Sequence, residues 1–436
     1  GEAFRLMRTV LYPDVQAKRL QILSISSPMT GYGKSTIVTN LSAALSHLDL
    51  SVLLIDADMR RPTAHQFHEL DVAVGLSELL QGEVDDIGDS TRLILETPHE
   101  RRTTAVHAPT QQDALSAVMD ALEPFVDGLP VIGVGHRIVH GGPDFTRSTE
   151  LTPEVLQALS ALAPLAPLHQ PHNLAGVAAA QAAFPDAVQV GCFDTAFHRR
   201  QPWVNDVFAL PRELYDAGIR RYGFHGLSYD YVTGVIERDY PDLHRGRIVV
   251  AHLGNGASMC AIRSGKSVGS TMGFSALDGL PMGTRCGQID PGVVLYLIRQ
   301  KGMSPEAVMT MLYNESGLLG LSGETSDMRD LLASQRPEAA QAIDYYVFRA
   351  RREIGALSAV LGGIDALVFC GGIGENAAPI RQRICQDMAY LGIRIDPVRN
   401  HDNDHEIGTD STRVMVIATD EERVIARDVH RFTRSP

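Results

Sequence analysis

The chain lacks the features that mark secreted and membrane proteins. Its five cysteines are odd in number and widely spread, so they suit neither a disulfide scaffold nor a zinc site. No apolar run approaches the ~20 residues that a membrane-spanning helix needs. We therefore expect a cytoplasmic protein with no signal peptide and no membrane span.

Positive charge is also scarce. The 39 lysines and arginines are outnumbered by 52 aspartates and glutamates, which gives a formal net charge of −13. This balance argues against nucleic acid or an anionic membrane as the main partner. An anionic ligand would have to be held by a few basic side chains and by backbone amides. Within these limits, 436 residues, 44% hydrophobic and 21% charged, are typical of a globular protein with two or three domains.

Residues 1–82 have a pattern of their own. Short apolar strands are predicted at 21–27 and 52–55, and a glycine-containing turn after the first leads into an amphipathic helix. This order forms a βαβ unit, which implies a parallel sheet. A glycine-rich turn between strand and helix binds phosphate through its amides, with a lysine for the outer phosphates and a serine for magnesium. The residues of this candidate phosphate loop are Gly31, Gly33, Lys34, Ser35 and Thr36.

Three motifs in this segment resemble the start of the catalytic domain of bacterial tyrosine kinases, relatives of the ParA/MinD ATPases. They are EAFRLMR at 2–8, SSPMTGYGKST at 26–36 and VLLIDADMRRP at 52–62. The resemblance implies that Asp56 and Asp58 serve the metal and the acceptor hydroxyl. It ends near Gly82, and no linker rich in glycine, proline or serine follows. We interpret residues 1–82 as a partial P-loop unit spliced to a different sequence.

From Val131 onwards, glycines, arginines and histidines gather where predicted strands end. Taken singly, such residues are more often structural, but ligands of α/β sheets bind at the carboxyl ends of strands. Glycine-rich turns follow the apolar strands at 249–253 and 366–370, and such turns offer amides to an anion. The motifs, in chain order, are GHRIVHGG, LAPLHQPHNL, FDTAFH, RRYGFHGLS, HLGNGAS, MGFSALDGLPMGTRCGQIDP, SDMRD, GGIGEN and TDEERVIARD.

These motifs, in this order, resemble those of the acetate kinases, members of the acetate and sugar kinase/Hsp70/actin superfamily, from about residue 85 to the end. The resemblance implies a two-lobed α/β fold of the actin-like (ribonuclease H-like) kind, with the partial P-loop βαβ unit in front. The first lobe is expected at 83–196 and the nucleotide-binding second lobe at 197–421. A helix at 422–436 is expected to return to the first lobe. The family's N-terminal hairpin, with its N-S-G-S-S-S-x-K loop, is not found here, so we expect impaired activity.

The resemblance also implies a role for each residue that matches one of the family's motifs. The resemblance implies that Arg137 and Arg285 bracket the acetate carboxylate and the transferring phosphoryl group, because guanidinium forks suit spread anionic charge. Asp194 would orient the attacking carboxylate or a metal. His225 would hydrogen-bond the phosphoryl oxygens, and His169 would support the substrate pocket. The implied nucleotide contacts are His252, Gly254, Asn255, Gly256, Asp327, Arg329, Gly372, Ile373, Gly374, Glu375 and Asn376.

The implied reaction is the reversible transfer of a phosphoryl group from ATP to acetate, giving ADP and acetyl phosphate by direct in-line attack. Magnesium is the implied cofactor, with Glu421 beside it, and a homodimer is the implied assembly. Propionate and butyrate kinases share much of this pattern. Two alternatives stay open: a P-loop ATPase or protein tyrosine kinase fragment, and a chimeric chain that only binds nucleotide. Two positions depart from the family's motifs, since Gln288 replaces an acid and Asp420 an asparagine.

Overall fold

The computed structural model describes residues 81–85, 92–96, 101–109, 113, 117, 131–167 and 169–434. The described residues fall into two compact units, one with 81–85, 92–96 and 101–105, the other with those from 106 onwards. The predicted phosphate loop and acidic pair lie outside the described residues, so their prediction stays untested; they are Gly31, Gly33, Lys34, Ser35, Thr36, Asp56 and Asp58.

The smaller unit contains a three-stranded antiparallel sheet in the order β1-β2-β3. In its register Gln81 faces Glu96, and Arg92 faces Ala105. Sequential strands joined by short connections form such a meander. The strands are β1 (Gln81–Asp85), β2 (Arg92–Glu96) and β3 (Arg101–Ala105).

The larger unit begins with a small mixed sheet in the order β4-β6-β5. β4 and β6 run parallel, with Arg137 opposite Cys192. A parallel pair needs a crossover connection, which two helices supply. These elements are β4 (Gly133–Ile138), β5 (Thr149–Glu150), α1 (Pro153–Ala161), α2 (Gln170–Ala183) and β6 (Val188–Phe193). Their shared core consists of Ile138, Leu151, Leu159, Val177 and Phe193.

The remaining helices connect and cover the sheets. Several begin at a side-chain cap, as Asp290 and Ser304 accept hydrogen bonds from first-turn amides. No helix among the described residues combines the length and the apolar character that a bilayer crossing requires. These helices are α3 (Trp203–Asp206), α4 (Arg212–Asp216), α5 (Gly226–Asp239), α6 (Pro241–His244), α7 (Pro291–Arg299), α8 (Pro305–Asn314), α9 (Gly317–Ser322), α10 (Met328–Ala333), α11 (Pro337–Leu361), α12 (Gly371–Asn376), α13 (Ala378–Cys385), α14 (Pro397–His401) and α15 (Glu421–Arg434).

The second sheet of this unit has five strands in the order β11-β10-β7-β8-β9. β7, β10 and β11 are parallel, whereas β7, β8 and β9 form an antiparallel meander. Ile248 and Val250 pack with α5 on one face, while Val249 and Ala251 join the cluster that includes α11 on the other. Near-continuous apolar strands are expected where helices cover both faces. The strands are β7 (Arg247–Leu253), β8 (Ala257–Arg263), β9 (Lys266–Ser270), β10 (Ala366–Cys370) and β11 (Arg413–Val416).

The last helix, α15, belongs with the small sheet rather than with the strand that precedes it. Val424, Ile425 and Val429 pack against Val190 and Cys192 of β6. Its first residue therefore lies near the ends of β4 and β6. This placement brings a side chain from position 421 to a site built near position 137.

Candidate active site

The centre of the site is an ion-pair cluster from three elements. Arg137 lies near the end of β4 and Asp194 directly follows β6, so the parallel register sets them side by side. Arg137 Nε is 3.2 Å from both carboxylate oxygens of Asp194, and its Nη2 is 2.9 Å from Oδ2. The other branch, Nη1, is 2.9 Å from Glu421 Oε2 at the start of α15. One guanidinium thus pairs with two carboxylates.

Burial and pairing shift the pKa values of this cluster. Burial of Asp194 raises the pKa of its carboxyl to about 6, and this effect exceeds the opposing influence of Arg137. The pKa of Arg137 is raised, chiefly by Asp194. The carboxyl of Asp194 is therefore ionised at pH 7 but titrates much closer to neutrality than an ordinary aspartate.

Glu421 is held on its other side as well. Ser228, in the first turn of α5, donates a hydrogen bond to Glu421 Oε1. The neighbouring Asp420 accepts a hydrogen bond of 2.9 Å from the backbone N–H of Arg423, which caps the first turn of α15. Aspartate and asparagine cap helices about equally well, which explains why an acid is tolerated at position 420.

His225 enters the site through an unusual backbone. It precedes α5 with φ of 57°, a left-handed conformation that is uncommon for a side-chain-bearing residue. The next residue, Gly226, donates its N–H to Asp194 O at 2.9 Å. A side-chain carbon at position 226 would lie 2.3 Å from that oxygen, so only glycine permits the approach. This contact ties His225 to the strand end that carries Asp194.

The imidazoles of His225 and His252 stack, with ring centroids 4.3 Å apart and planes 22° apart. Burial lowers the pKa of His252 to about 4 and lowers that of His225 well below its ordinary value, and the stacked His252 further disfavours charge on His225. Both rings are neutral at pH 7. They can act as hydrogen-bonding groups in the site but do not add positive charge to it.

Arg285 is the second arginine of the site, and its surroundings differ from those of Arg137. Its Nη1 lies 3.4 Å from Ala276 O and 3.5 Å from Met282 Sδ. No carboxylate of the described residues forms an ion pair with it, and burial lowers its pKa. A half-buried guanidinium without an anionic partner is suited to binding an anionic ligand.

A small apolar pocket adjoins Arg285, whose Nη1 contacts Ala276 O in the pocket lining. The pKa of His169 is lowered by burial and then by the charges of the nearby Arg285 and Arg137. The pocket offers few polar groups apart from this histidine and one phenol. Its lining residues are Val139, Leu165, Ala166, Pro167, His169, Phe224, Ala276 and Tyr313.

Two predicted nucleotide segments lie beside each other. His252, the last residue but one of β7, lies opposite Cys370, which ends β10, so the turn 254–256 and the segment 371–376 follow neighbouring parallel strands. In the turn, Gly254 N donates to Gly256 O at 3.0 Å. Asn255 O accepts a hydrogen bond of 3.1 Å from Gly283 N. Asn255, at the centre of this turn, is exposed.

The GGIGEN segment is a helix, α12, where the glycine content predicted a turn. Glu375 Oε1 accepts hydrogen bonds from Gly371 N at 2.8 Å and from Thr419 N at 3.1 Å, so its carboxylate is turned towards the protein. Asn376 Nδ2 donates to Gly372 O at 3.0 Å. Of the predicted residues here, Gly372, Ile373 and Gly374 form the start and middle of the helix, and Ile373 packs on the core.

Arg381 was not predicted from the sequence, yet it holds α12 in place. Its guanidinium is fully buried and donates to Gly374 O at 2.9 Å and Glu375 O at 2.8 Å. Nε donates to Asn400 Oδ1 at 2.8 Å. The sequence does contain an indication of its burial, because Arg381 lies next to the apolar Ile380 and near Ile384, both buried residues of α13.

Asp327 and Arg329 lie at the surface and pair with each other. Asp327 Oδ1 accepts a hydrogen bond of 2.8 Å from Arg329 N and caps α10, and Arg329 lowers the pKa of Asp327 to about 2. The side chain of Arg329 is 90% exposed. Ser326, one residue before this pair, packs close to Gly283, which contacts the turn at Asn255. The pair thus borders the predicted nucleotide turn without joining the central cluster.

The site contains two carboxylates of the kind that bind magnesium. Within the described part of the chain, no group of three or more histidines, cysteines, aspartates and glutamates is arranged for a metal ion. Asp194 and Glu421 nevertheless present two carboxylates around Arg137. Mg²⁺ keeps several waters and binds phosphate oxygens, so one or two carboxylates suffice for it.

Strand ends of two sheets bring arginines, carboxylates and stacked histidines together with glycine-rich segments, an arrangement that suits a kinase of small molecules. The chain belongs to the acetokinase family, whose model matches residues 63–427. Residues 63–82 are therefore part of the family match, although the motifs assigned them to the P-loop segment and placed the start near residue 85. The family's recognisable motifs begin only at Gly135, so they do not fix where the family match begins.

Relatives and solved structures agree with this assignment. The acetate kinase of Methylocella silvestris is 52% identical over 367 residues, 82% of this chain and 88% of that protein. The acetate kinase of Rhizobium meliloti is 45% identical over 379 residues, 84% of this chain and 94% of that protein. The crystal structure of Porphyromonas gingivalis acetate kinase has a TM-score of 0.75 at 37% identity, covering 82% of this chain and 94% of that one. A propionate kinase from Francisella tularensis has a TM-score of 0.77 at 35% identity, covering 81% and 93%.

Proposed function

We propose that this chain transfers the γ-phosphoryl group of ATP to acetate and gives ADP and acetyl phosphate, reversibly. The observation that carries the proposal is that Arg285, which has no carboxylate partner among the described residues, contacts Ala276 O in the lining of an apolar pocket that also contains His169. A short carboxylate needs cationic forks for its oxygens and an apolar site for its methyl group. A phosphoryl group needs positive charge around its equatorial oxygens. Both needs are met here.

The reaction is a direct in-line transfer. A carboxylate oxygen of acetate attacks the γ-phosphorus, the bond to the oxygen bridging the β- and γ-phosphates breaks, and ADP leaves. Arg137 and Arg285 stabilise the charge that spreads over the equatorial oxygens, and they do so without reorganisation because both are fixed beforehand. Neutral His225 donates a hydrogen bond to the same group, and His169 supports the acetate.

Asp194 and Glu421 orient Arg137 and are the carboxylates that would hold magnesium, directly or through water. When bound, Mg²⁺ supplies neutralising charge to the phosphates of the nucleotide. The nucleotide is proposed to lie along His252, the turn 254–256 and α12, with its adenosine towards Asp327 and Arg329. In this arrangement Glu375 fixes α12 to Thr419 and does not contact the nucleotide itself.

The lobes are proposed to divide as the motifs indicated, with the first at 83–196, the second at 197–421 and the terminal helix completing the first. The packing of Val424 and Val429 against β6 supports the last point. A cytoplasmic location is proposed as well. The supply of ATP and the five cysteines, all described and all free, suit a reducing compartment.

A homodimer is the proposed assembly. Helix α7 is apolar, but none of its residues is buried. Gln288, just before α7, accepts a hydrogen bond of 3.0 Å from Arg349, so this helix adjoins the middle of α11. We call the exposed apolar residues of α7 and of the first half of α11 the α7–α11 face: Val293, Leu295, Tyr296, Tyr345 and Phe348. An apolar surface of this kind commonly marks an interface between subunits.

The assembly is tested by light scattering after size exclusion. Phe348→Asp is expected to shift the protein from dimer to monomer, because a buried interfacial charge is costly. Val398→Asp, an exposed position on α14, is the matched control and should leave the mass unchanged. A native chain that elutes as a monomer would exclude the dimer.

The reaction is tested with purified full-length chain, ATP, magnesium and hydroxylamine, which traps acyl phosphates as hydroxamates. Acetate, propionate and butyrate are compared at equal concentrations. We expect hydroxamate formation that depends on ATP and is fastest with acetate, because the pocket is small. The proposal of acetate as acceptor is wrong if a longer acid reacts faster, and the proposed reaction is wrong if no acid yields hydroxamate.

A further inference from the structure

A buried chain of hydrogen bonds lies behind His225. Its Nδ1 is 2.8 Å from Ser258 Oγ on β8, and the phenol of Tyr229 on α5 is hydrogen-bonded to the same oxygen. The side chains of Ser258 and Tyr229 are fully buried in the second sheet's core. The chain therefore runs from the interior of the protein to an imidazole that faces the cleft.

The direction of donation along this chain follows from counting protons. Ser258 Oγ is the partner of the Tyr229 hydroxyl, and no other is recorded among the described residues. Burial raises the pKa of Tyr229 well above its ordinary value, so its proton is always present. A buried hydroxyl proton must be donated, and the acceptor is Ser258. Ser258 must then donate its own proton to His225 Nδ1.

The reverse arrangement is costly. If His225 Nδ1 carried a proton and donated it to Ser258, either the serine proton or the tyrosine proton would lack an acceptor. An unsatisfied buried polar group costs about 1–3 kcal/mol, which corresponds to a population ratio of at least about fivefold. A neutral imidazole has one proton, so a lone pair on Nδ1 means that Nε2 carries the N–H.

Nε2 faces the reacting groups. A carbon placed on the Cα of Gly256 would lie 3.2 Å from His225 Nε2 and 3.8 Å from Arg285 Nη1. The nitrogen thus points between the predicted phosphate turn and the arginine that has no carboxylate partner. A donor at this point stabilises an anionic oxygen, whereas a lone pair there would repel it.

We propose that Tyr229 and Ser258 are positioning residues that fix His225 as the Nε2–H tautomer, so that it donates a hydrogen bond to the transferring phosphoryl group. This rests on the proposed phosphoryl transfer. The two residues touch neither substrate. They act through the imidazole, whose left-handed backbone and stacking on His252 fix its plane while the hydroxyls fix its proton.

The first test observes the tautomer and needs no activity. The full chain is labelled with ¹⁵N-histidine, and the His225 signals are identified by their loss in His225→Gln. We expect the native protein to show a neutral ring protonated at Nε2, and Tyr229→Phe to show exchange with the other tautomer. A native ring protonated at Nδ1, or an unchanged Nε2–H population in Tyr229→Phe, would overturn the proposal.

The second test is a double-mutant cycle on kcat. Tyr229→Phe is expected to lower kcat about fivefold, the equivalent of one ordinary hydrogen bond of about 1 kcal/mol, with little change in KM for acetate. In the His225→Gln background the same substitution should change kcat less than about 1.5-fold. If Tyr229→Phe lowers kcat by the same factor in the native and in the His225→Gln background, Tyr229 acts only on the fold and the proposal is wrong.

A matched control uses Tyr346, a fully buried tyrosine of α11 whose hydroxyl has no hydrogen-bond partner among the described residues. Tyr346→Phe removes the same atom from a core position away from the imidazole and should leave kcat and the His225 signals unchanged. If the native chain forms no acetyl phosphate, the proposed function fails while the labelled-histidine experiment still decides the tautomer.

Discussion

The two arginines of the site are held in opposite ways. Arg137 forms close ion pairs with Asp194 and Glu421, which come from two other elements. Arg285 contacts only a carbonyl oxygen and a thioether in its immediate surroundings. The first is fixed by charge and the second by packing. Arg137 is therefore part of the fold's electrostatic balance, whereas Arg285 keeps its charge available for a ligand.

This difference sets the charge that an incoming anion meets. Arg137 with its two carboxylates sums to −1, and both stacked imidazoles are neutral at pH 7. Arg285 is the cation of the described cluster that no carboxylate offsets. Anionic substrates are accordingly attracted mainly to Arg285. Arg137 contributes oriented hydrogen bonds to a bound anion rather than long-range attraction.

The largest expected effect is on catalysis. Arg285→Ala and Arg137→Ala should each lower kcat by roughly 10²-fold or more, because each removes a charge placed for the transition state. Arg→Lys at either position should restore little, since an ammonium cannot form the bidentate fork. The measurement is hydroxamate formation at saturating substrates. Native turnover in either alanine variant would show that the corresponding arginine lies outside the reaction.

Stability should separate the two arginines more clearly than activity does. Arg137→Ala leaves the buried Asp194 carboxylate unpaired and should lower the free energy of unfolding by about 2 kcal/mol, less than for a wholly buried pair because Arg137 is 47% exposed. Arg285→Ala breaks no ion pair and should cost less than about 1 kcal/mol. Denaturant unfolding measures both.

A compensating change sharpens that test. Adding Asp194→Asn to Arg137→Ala removes the stranded charge and should recover most of the lost stability, though not the activity. If Arg285→Ala destabilises the protein as much as Arg137→Ala, the distinction between charge-fixed and packing-fixed arginines is wrong.

The pH dependence follows from Asp194. Because its pKa is about 6, the carboxyl of Asp194 is protonated as the pH falls through 6. Protonation removes the negative charge that pairs with Arg137 and orients it. Activity should fall up to about tenfold per pH unit below this value. The pKa of the Asp194 carboxyl is higher in the folded state than in the unfolded chain. Between about pH 4 and 6 the folded state therefore binds more protons than the unfolded state. The contribution of Asp194 to the free energy of unfolding accordingly rises as the pH falls.

Activity and this contribution to stability therefore move in opposite directions between pH 7 and 5. The measurement is kcat against pH, with Asp194→Asn as the control that separates enzyme ionisation from that of the substrates. A native profile that is flat down to pH 5, or an acid limb retained unchanged in the asparagine variant, would contradict the assignment.

The positions of Arg137 and Asp194 could be predicted from sequence because Arg137 lies near the end of a short strand and Asp194 directly follows another, and parallel strands end at the same edge of a sheet. The ion pair between Arg137 and Glu421 could not, because it depends on α15 packing against a sheet formed almost 300 residues earlier. Local patterns carry no information about such a return.

Two errors arose where tertiary packing outweighed local preference. The three glycines of GGIGEN predicted a turn, but hydrogen bonds donated by Arg381 and accepted by the carboxylate of Glu375 hold the segment as a helix. Arg381 itself was passed over because an arginine in an amphipathic helix usually lies in water. The predicted phosphate loop around Lys34 is a different case, since it lies outside the described residues.

Arg381 also extends the contrast between the arginines, and the smallest expected effect concerns it. Like Arg285 it has no carboxylate partner recorded among the described residues, but its donors are fully used on carbonyl and amide oxygens around α12. Arg381→Met should free the carbonyls of α12 and raise the KM for ATP about fivefold, the equivalent of one lost hydrogen bond, with the KM for acetate nearly unchanged.

Arg383→Met is the matched control, because Arg383 lies on the same helix but is partly exposed and pairs with the exposed Asp344. It should leave both KM values within about 1.5-fold, as expected for a surface ion pair. If Arg381→Met raises the KM values of ATP and acetate equally, the arginine supports the whole lobe rather than α12. An unchanged KM for ATP would mean that α12 does not contact the nucleotide, and the proposed path of the nucleotide between the turn 254–256 and α12 would have to be abandoned.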